Sequence, residues 1–263
     1  MDVMKRWVPA LACGAILWSA SLSADPVPVR YREGVVHGFL TLRSSDGAIL
    51  AAGDLIQVVR GERVTTRVTF HFKDGSVQDE TALFSQRGQF RLISDHLVQK
   101  GRAFERPLDM NIDGLSGQVT VRYLDEDGQE KVENEHLELP PDLANGLIIT
   151  LLKNVRRAAL PATFAYVAAT PKPRLVKLKV TAAGGDRFSA GGLAHRATHY
   201  VVKVEIGGVA GLIAPLLGKD PPDSHVWILE GEAPAFVRSE APLFMGGPLV
   251  RTDLTSPAWP GRR

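Results

Sequence analysis

LPPDLANGLIITLLKNV, residues Leu139 to Val155, is the one long helical pattern in a chain that otherwise reads as strands. Pro140 and Pro141 end the preceding extended run and suit a first helical turn, where a missing N–H costs nothing. Asp142 places a negative charge near the positive end of the helix dipole, and Lys153, Arg156 and Arg157 place positive charge at the other. Leu143, Leu147, Leu151 and Val155 recur every four residues, and Ile148 and Leu152 widen that stripe into a face broad enough to bury. The spacing therefore predicts a helix over 139–155 that needs a cover. The strands on either side must supply it, which gives a mainly β fold: a curved antiparallel sheet or open half-barrel packed on one central helix.

Working back from the helix, the punctuation is that of a meander. Val35 to Arg43, Ile49 to Arg60, Val64 to Phe72, Val77 to Ser85 and Phe90 to Gln99 are expected strands, separated by Ser44-Ser45-Asp46-Gly47, Gly61-Glu62, Lys73-Asp74-Gly75-Ser76 and Gln86-Arg87-Gly88. Each of these turns holds a glycine able to take the positive φ of a tight hairpin. Val64, Thr66, Val68, Phe70 and Phe72 share one face, with Thr65, Arg67, Thr69 and His71 on the other, so the sheet has a dry side and a wet side. Leu108 to Ile112, Val119 to Tyr123 and Lys131 to Leu137 continue the pattern up to the helix.

Beyond the helix, Ala162 to Ala168, Arg174 to Thr181 and His195 to Ile206 read as strands, with Gly184-Gly185-Asp186 and Gly191-Gly192 as flexible connections. Val226 to Glu230 and Phe236 to Ala241 form an expected hairpin, and Leu249 to Leu254 a last strand. Between Ile206 and Val226, GGVAGLIAPLL, Gly207 to Leu217, is apolar, glycine-rich and too short to cross a bilayer. It is expected to close or line one end of the sheet. No low-complexity linker divides the chain, so 25–256 is read as a single β-rich domain and 257–263 as a flexible tail.

The N-terminus carries an export pattern over 1–24. Lys5 and Arg6 precede an uncharged, mostly apolar Trp7 to Leu22, and Ser21, Ser23 and Ala24 are small residues before a cut at Asp25. A retained signal anchor is the alternative, because Leu22 fits poorly three residues before the cut and Pro9 is unusual in either role. Leu11-Ala12-Cys13-Gly14 superficially resembles a lipobox, but Ala10 stands where a large aliphatic residue is expected. Cys13 is the single cysteine, so a chain cut before Asp25 has neither a disulfide partner nor thiolate chemistry. With 31 basic and 29 acidic residues, the chain lacks the excess of a dedicated nucleic-acid binder.

Chemical motifs are weak. His195 and His199 have the spacing of a helical metal pair, but on a strand they stand roughly 13 Å apart. Glu133, Glu135, His136 and Glu138 are polar neighbours that alternation divides between two faces. Asp125, Asp127 and Gly128 match part of a calcium loop without its closing glutamate. Gly218-Lys219 fails as a phosphate loop, since Ile213 and Asp220 occupy the first-glycine and hydroxyl positions. Gly114-Leu115-Ser116-Gly117 lacks the spacing of a nucleophile elbow. No metal and no cofactor is expected.

The His225-Val226-Trp227-Ile228 strand with its hairpin, the Gly246-Gly247-Pro248 turn and the Leu139-Pro140-Pro141-Asp142 helix entry resemble those of uncharacterised bacterial exported proteins. Their domain of unknown function combines curved antiparallel strands with a central helical segment. That architecture is similar to the open half-barrels of periplasmic lipoprotein carriers, which hold acyl chains between a sheet and helices. The resemblance implies an exported, periplasmic or secreted protein and supplies no catalytic residue to carry over. The leading expectation is a non-enzymatic protein binding a lipid or other apolar small molecule. Its contacts would come from Leu143, Leu147 and Leu151 of the helix, Leu212, Ile213 and Leu216 of the apolar loop, and Trp227. The alternatives are an envelope structural component docking a protein partner, and an unrecognised hydrolase.

Overall fold

The computed structural model describes residues 26–125, 127–190, 193–205 and 221–256. The expected export segment, the apolar loop with Leu212, Ile213 and Leu216, the Gly191-Gly192 connection and the tail lie outside the described residues. The strands are β1 (Val36–Ser44), β2 (Ile49–Arg60), β3 (Arg63–Phe72), β4 (Val77–Arg87), β5 (Gln89–Lys100), β6 (Leu108–Asp113), β7 (Gln118–Leu124) and β8 (Glu130–His136) before the helix. After it come β9 (Ala162–Ala168), β10 (Arg174–Ala190), β11 (Leu193–Glu205), β12 (Ser224–Leu229), β13 (Ala235–Pro242) and β14 (Leu249–Thr255).

All fourteen join one antiparallel sheet in the order β8-β7-β6-β5-β4-β3-β2-β1-β14-β13-β12-β11-β10-β9. Two meanders, one on each side of the helix in sequence, are thus fused where β1 pairs with β14, Leu40 opposite Leu254 and Leu42 opposite Thr252. The sheet curves without closing into a barrel. Its concave face is the expected dry one: Val64, Phe84, Leu92, Met110 and Val121 on one half and Phe164, Val180, Tyr200, Val226 and Ile228 on the other belong to a single buried cluster. A second, smaller cluster gathers Leu40, Leu42, Phe70, Phe72, Phe104 and Val250.

The helix is shorter than its sequence pattern. α1 runs over Ile148–Asn154, seven residues, and 139–147 folds as turns and bridges. Gly146 at φ +61° ends any helical path from Asp142, in a left-handed conformation that costs a side-chain-bearing residue about 1–2 kcal/mol. Leu143 instead makes an isolated parallel bridge to Ala165. The Ala144 N–H donates to the Ala165 carbonyl at 2.8 Å. Asn145 then acts as one more rung: its Nδ2 donates to the Val167 carbonyl at 3.0 Å and its Oδ1 accepts from the Val167 N–H at 2.8 Å. The free edge of β9 is thereby satisfied by its own chain. The opposite edge, β8, is protected by charge, with Glu130, Lys131, Glu133 and Glu135 along it.

Leu143, Leu147 and Leu151 are all buried, at 3%, 1% and 3% exposure, although only Leu151 lies within α1. Each such leucine contributes about 1.5–3 kcal/mol by leaving water. Residues 26–35, which precede β1, cross the other end of the helix. Asn154 Oδ1 accepts from the Arg30 and Tyr31 N–H groups at 2.9 and 2.7 Å, and its Nδ2 donates to the Thr150 carbonyl at 2.9 Å. Glu33 is buried there against Lys153 and accepts from Gln57 Nε2 at 3.0 Å.

Candidate functional site

The ribbon β10–β11 borders an open concavity. Gly184-Gly185-Asp186 lies within β10, not in a connection: the pairing slips by one residue between Ala182 and Gly184 and continues to Ala190 opposite Leu193. The hairpin therefore runs past both neighbours, since β9 stops pairing at Ala162 opposite Val180 and β12 at Leu229 opposite Ala197. A cavity of about 380 Å³ opens at this bulge, bounded by Thr181, Ala182 and Gly184 of β10, Arg196 of β11, and Arg157, Leu160 and Pro161 of the segment that leaves α1. Leu160 itself packs against the main core cluster, so the cavity adjoins the concave side of the roll.

Its charged wall is a small network. Arg157 Nη2 donates to Thr198 Oγ1 and to Glu230 Oε1, both at 2.9 Å, and Thr198 Oγ1 donates to the same Glu230 oxygen at 2.7 Å. Arg196 Nε stands 3.6 Å from that oxygen. Thr198 is buried opposite Ile228 in the ladder, which fixes the network to the inner side of the sheet. One carboxylate thus serves two guanidinium groups. Gly185 makes room for this: a Cβ there would meet Arg196 Nε at 3.0 Å.

Deeper inside, β4 and β5 bring two acids together. Glu80 is opposite Val68 and Leu97, and Asp95 is opposite Ala82, all on the concave side. Asp95 is 1% exposed, and neither of its carboxylate oxygens has a hydrogen-bond partner. Burial first, and then the charge of Glu80, push the Asp95 carboxyl well above the ordinary carboxylate range, against a weaker pull from the His96 N–H. Burial likewise raises Glu80, offset in part by the Gly146 N–H. Tyr166 faces the pair from β9, and burial followed by the two acidic charges holds its hydroxyl protonated.

A third cluster lies on the convex side. His199 Nε2 is 2.9 Å from His225 Nδ1, and the His199 ring stacks on Trp227 with centroids 4.4 Å apart. Trp227 Nε1 donates to Asp186 Oδ2 at 2.6 Å, and Arg238 covers the Phe188 ring at 5.4 Å. The far end of the hairpin is therefore folded back and pinned over β12 and β13. Burial and the neighbouring His225 lower the His199 pKa.

The residues singled out from sequence separate accordingly. Leu143, Leu147 and Leu151 fill the core and touch the sheet. Trp227 is on the opposite face of β12 from Val226 and Ile228, so the structure does not bring it to the helix leucines. His195 and His199 occupy one strand as expected, but the nitrogen that meets His199 belongs to His225, across the ladder. The sequence pattern does not single out Arg196, Thr198 or Glu230, and it marks Arg157 only as a helix-end charge. Reading Gly184-Gly185 as a connection hid the register that puts them together.

No protein-family model matches the chain, and no curated protein matches it. Among solved structures it is similar to the crystal structure of a β-barrel-like protein of domain of unknown function DUF1849 from Brucella abortus. The identity is 11%, the match covers 86% of this chain and 98% of that one, and the TM-score is 0.43.

Proposed function

We propose that this is an exported, non-enzymatic protein that holds a lipid or other apolar small molecule at the end of its rolled sheet. The carrying observation is the cavity of about 380 Å³ beside the core, with Leu160, Pro161 and Ala182 offering apolar wall and Arg157 and Arg196 a polar rim. Its size falls in the range of small-molecule sites, which combine a mostly apolar lining with a few placed polar groups. The basic-then-apolar pattern of 1–24 supports the envelope address. Leu143, Leu147 and Leu151 lie buried in the core beneath the sheet.

The test is native mass spectrometry of the protein purified from its host envelope, followed by organic extraction. A co-purifying apolar molecule at one per chain is the expected result. An apo mass from the envelope, together with no uptake of added lipid, sinks the reading. A second reading, an envelope component that docks a protein partner, is favoured by Phe39, Ile56 and Val58, which lie exposed on the convex face of β1 and β2. It predicts a stable crosslink through that face.

A further inference from the structure

We infer that Arg157 and Arg196 form an anion site that selects the carboxylate or phosphoryl group of the bound molecule. This inference rests on reading the cavity as the ligand site and names the chemistry that the ligand must carry. Both arginines line the cavity, and both share a single oxygen of Glu230. Arg157 uses Nη2 for Glu230 and Thr198, and Arg196 approaches through Nε. A guanidinium has five N–H donors, so each side chain keeps donors beyond those contacts.

The arrangement carries more positive charge than its own carboxylate balances. Arg187 is the cross-strand partner of Arg196, so the register sets two basic residues opposite each other on the ribbon. Like charges directly opposite each other are destabilising on a sheet. Local folding does not call for it, because the hairpin is already held by its ladder and by the Asp186–Trp227 bond. Nor does the network stabilise much by itself: Arg157 and Arg196 are 52% and 64% exposed, and open ion pairs contribute little. The same exposure leaves the guanidinium groups within reach of a ligand. An oxyanion with two or three acceptor oxygens matches forked arginine donors in geometry as well as charge. Leu160 and Pro161, on the apolar wall of the same cavity, would meet the rest of the molecule.

Binding of dodecyl phosphate, dodecyl maltoside and inorganic phosphate to the full chain, measured by titration calorimetry below micelle concentrations, separates the possibilities. Dodecyl phosphate is expected to bind at least tenfold more tightly than the maltoside and to weaken with salt. Arg157→Gln and Arg196→Gln should each cost about tenfold, in line with the loss of charge-assisted bonds. Glu230→Gln should tighten binding, because it removes the carboxylate that competes for both arginines. Melting curves of each variant establish that it is folded. Equal affinity for phosphate and maltoside headgroups, with no effect of either arginine variant, overturns the anion site and leaves the apolar-ligand reading standing. Arginine-dependent binding of inorganic phosphate as tight as that of dodecyl phosphate does the reverse: the anion site holds and the apolar ligand falls. No binding by any of the three overturns the anion site.

Discussion

At the C-terminal end of α1 a buried carboxylate meets everything it needs, whereas near the N-terminal end a buried carboxylate has only the weak pull of the His96 N–H. Glu33 has Lys153 on one oxygen and Gln57 on the other, and its own N–H donates to Gln86 Oε1 at 2.8 Å. Asp95 has two oxygens without hydrogen-bond partners, a second acid beside it and Gly146 pressed over it. The first end ties 26–35, α1 and β2 to β4 into one unit, since groups far apart in sequence are satisfied only together. The second stores unfavourable free energy under the turn that leads into α1. One helix therefore sits in the roll with a polar clamp at one end and a strained seat at the other.

Breaking the clamp has the largest expected effect. Lys153→Met leaves Glu33 buried with its amide partners alone, and loss of one member of a buried pair costs about 3–5 kcal/mol. Urea denaturation at neutral pH should show that loss. Adding Glu33→Gln to the same chain should restore most of it. A single-variant loss under about 1 kcal/mol would mean that Glu33 is not held in the way the geometry requires. Next comes the seat. A Cβ on Gly146 would lie 2.4 Å from the Ala82 Cβ and 2.8 Å from Asp95 Oδ1, at a φ of +61°. Gly146→Ala combines left-handed strain with overpacking and should cost about 2–4 kcal/mol, with α1 loosened before the sheet.

Much of this was legible in the sequence and some was not, for identifiable reasons. Turn glycines and period-two alternation are local, and so β1 to β9 fall within about two residues of their expected limits, the tolerance of any boundary. The four-residue leucine spacing correctly put one face of 143–155 inside. It could not show that Asn145 is captured by Val167 or that Gly146 takes a left-handed turn, because the partners are supplied by β9 and β4. Glu80 and Asp95 did leave a signal: each occupies an inward position of an alternating strand, beside Ala82 and Leu97. The cavity network left less. Arg157, Arg196 and Glu230 meet only through a ladder whose register depends on the bulge after Ala182.

The unsatisfied end should also respond to pH. The Asp95 pKa is raised in the folded state, so the folded protein holds a proton there that the unfolded chain releases at ordinary carboxylate pH. That proton's contribution to stability is fully present below the unfolded pKa and is lost as pH rises through the folded one. Asp95→Asn removes the ionisation, should flatten this decline, and should raise stability at neutral pH by about 1–3 kcal/mol, the scale of an unsatisfied buried group. Denaturation midpoints measured from pH 4 to 9 check both. A variant that keeps the wild-type slope would place the titrating group elsewhere.

Glu80→Gln gives the smallest change and asks what makes the seat costly. Two causes act on Asp95 in the same direction, burial and the Glu80 charge, and burial is the larger. The glutamine keeps an oxygen for the Gly146 N–H and adds no volume, so the turn into α1 should remain in place. If burial dominates, most of the pH-dependent decline survives in this variant, and stability at neutral pH rises by no more than about 1 kcal/mol, part of the cost of one buried group. If the decline instead disappears as fully as in Asp95→Asn, repulsion between the two acids is the main cause. The contrast between the helix ends would then come from paired charges of opposite sign at one end and of like sign at the other, and not from the presence and absence of hydrogen bonds.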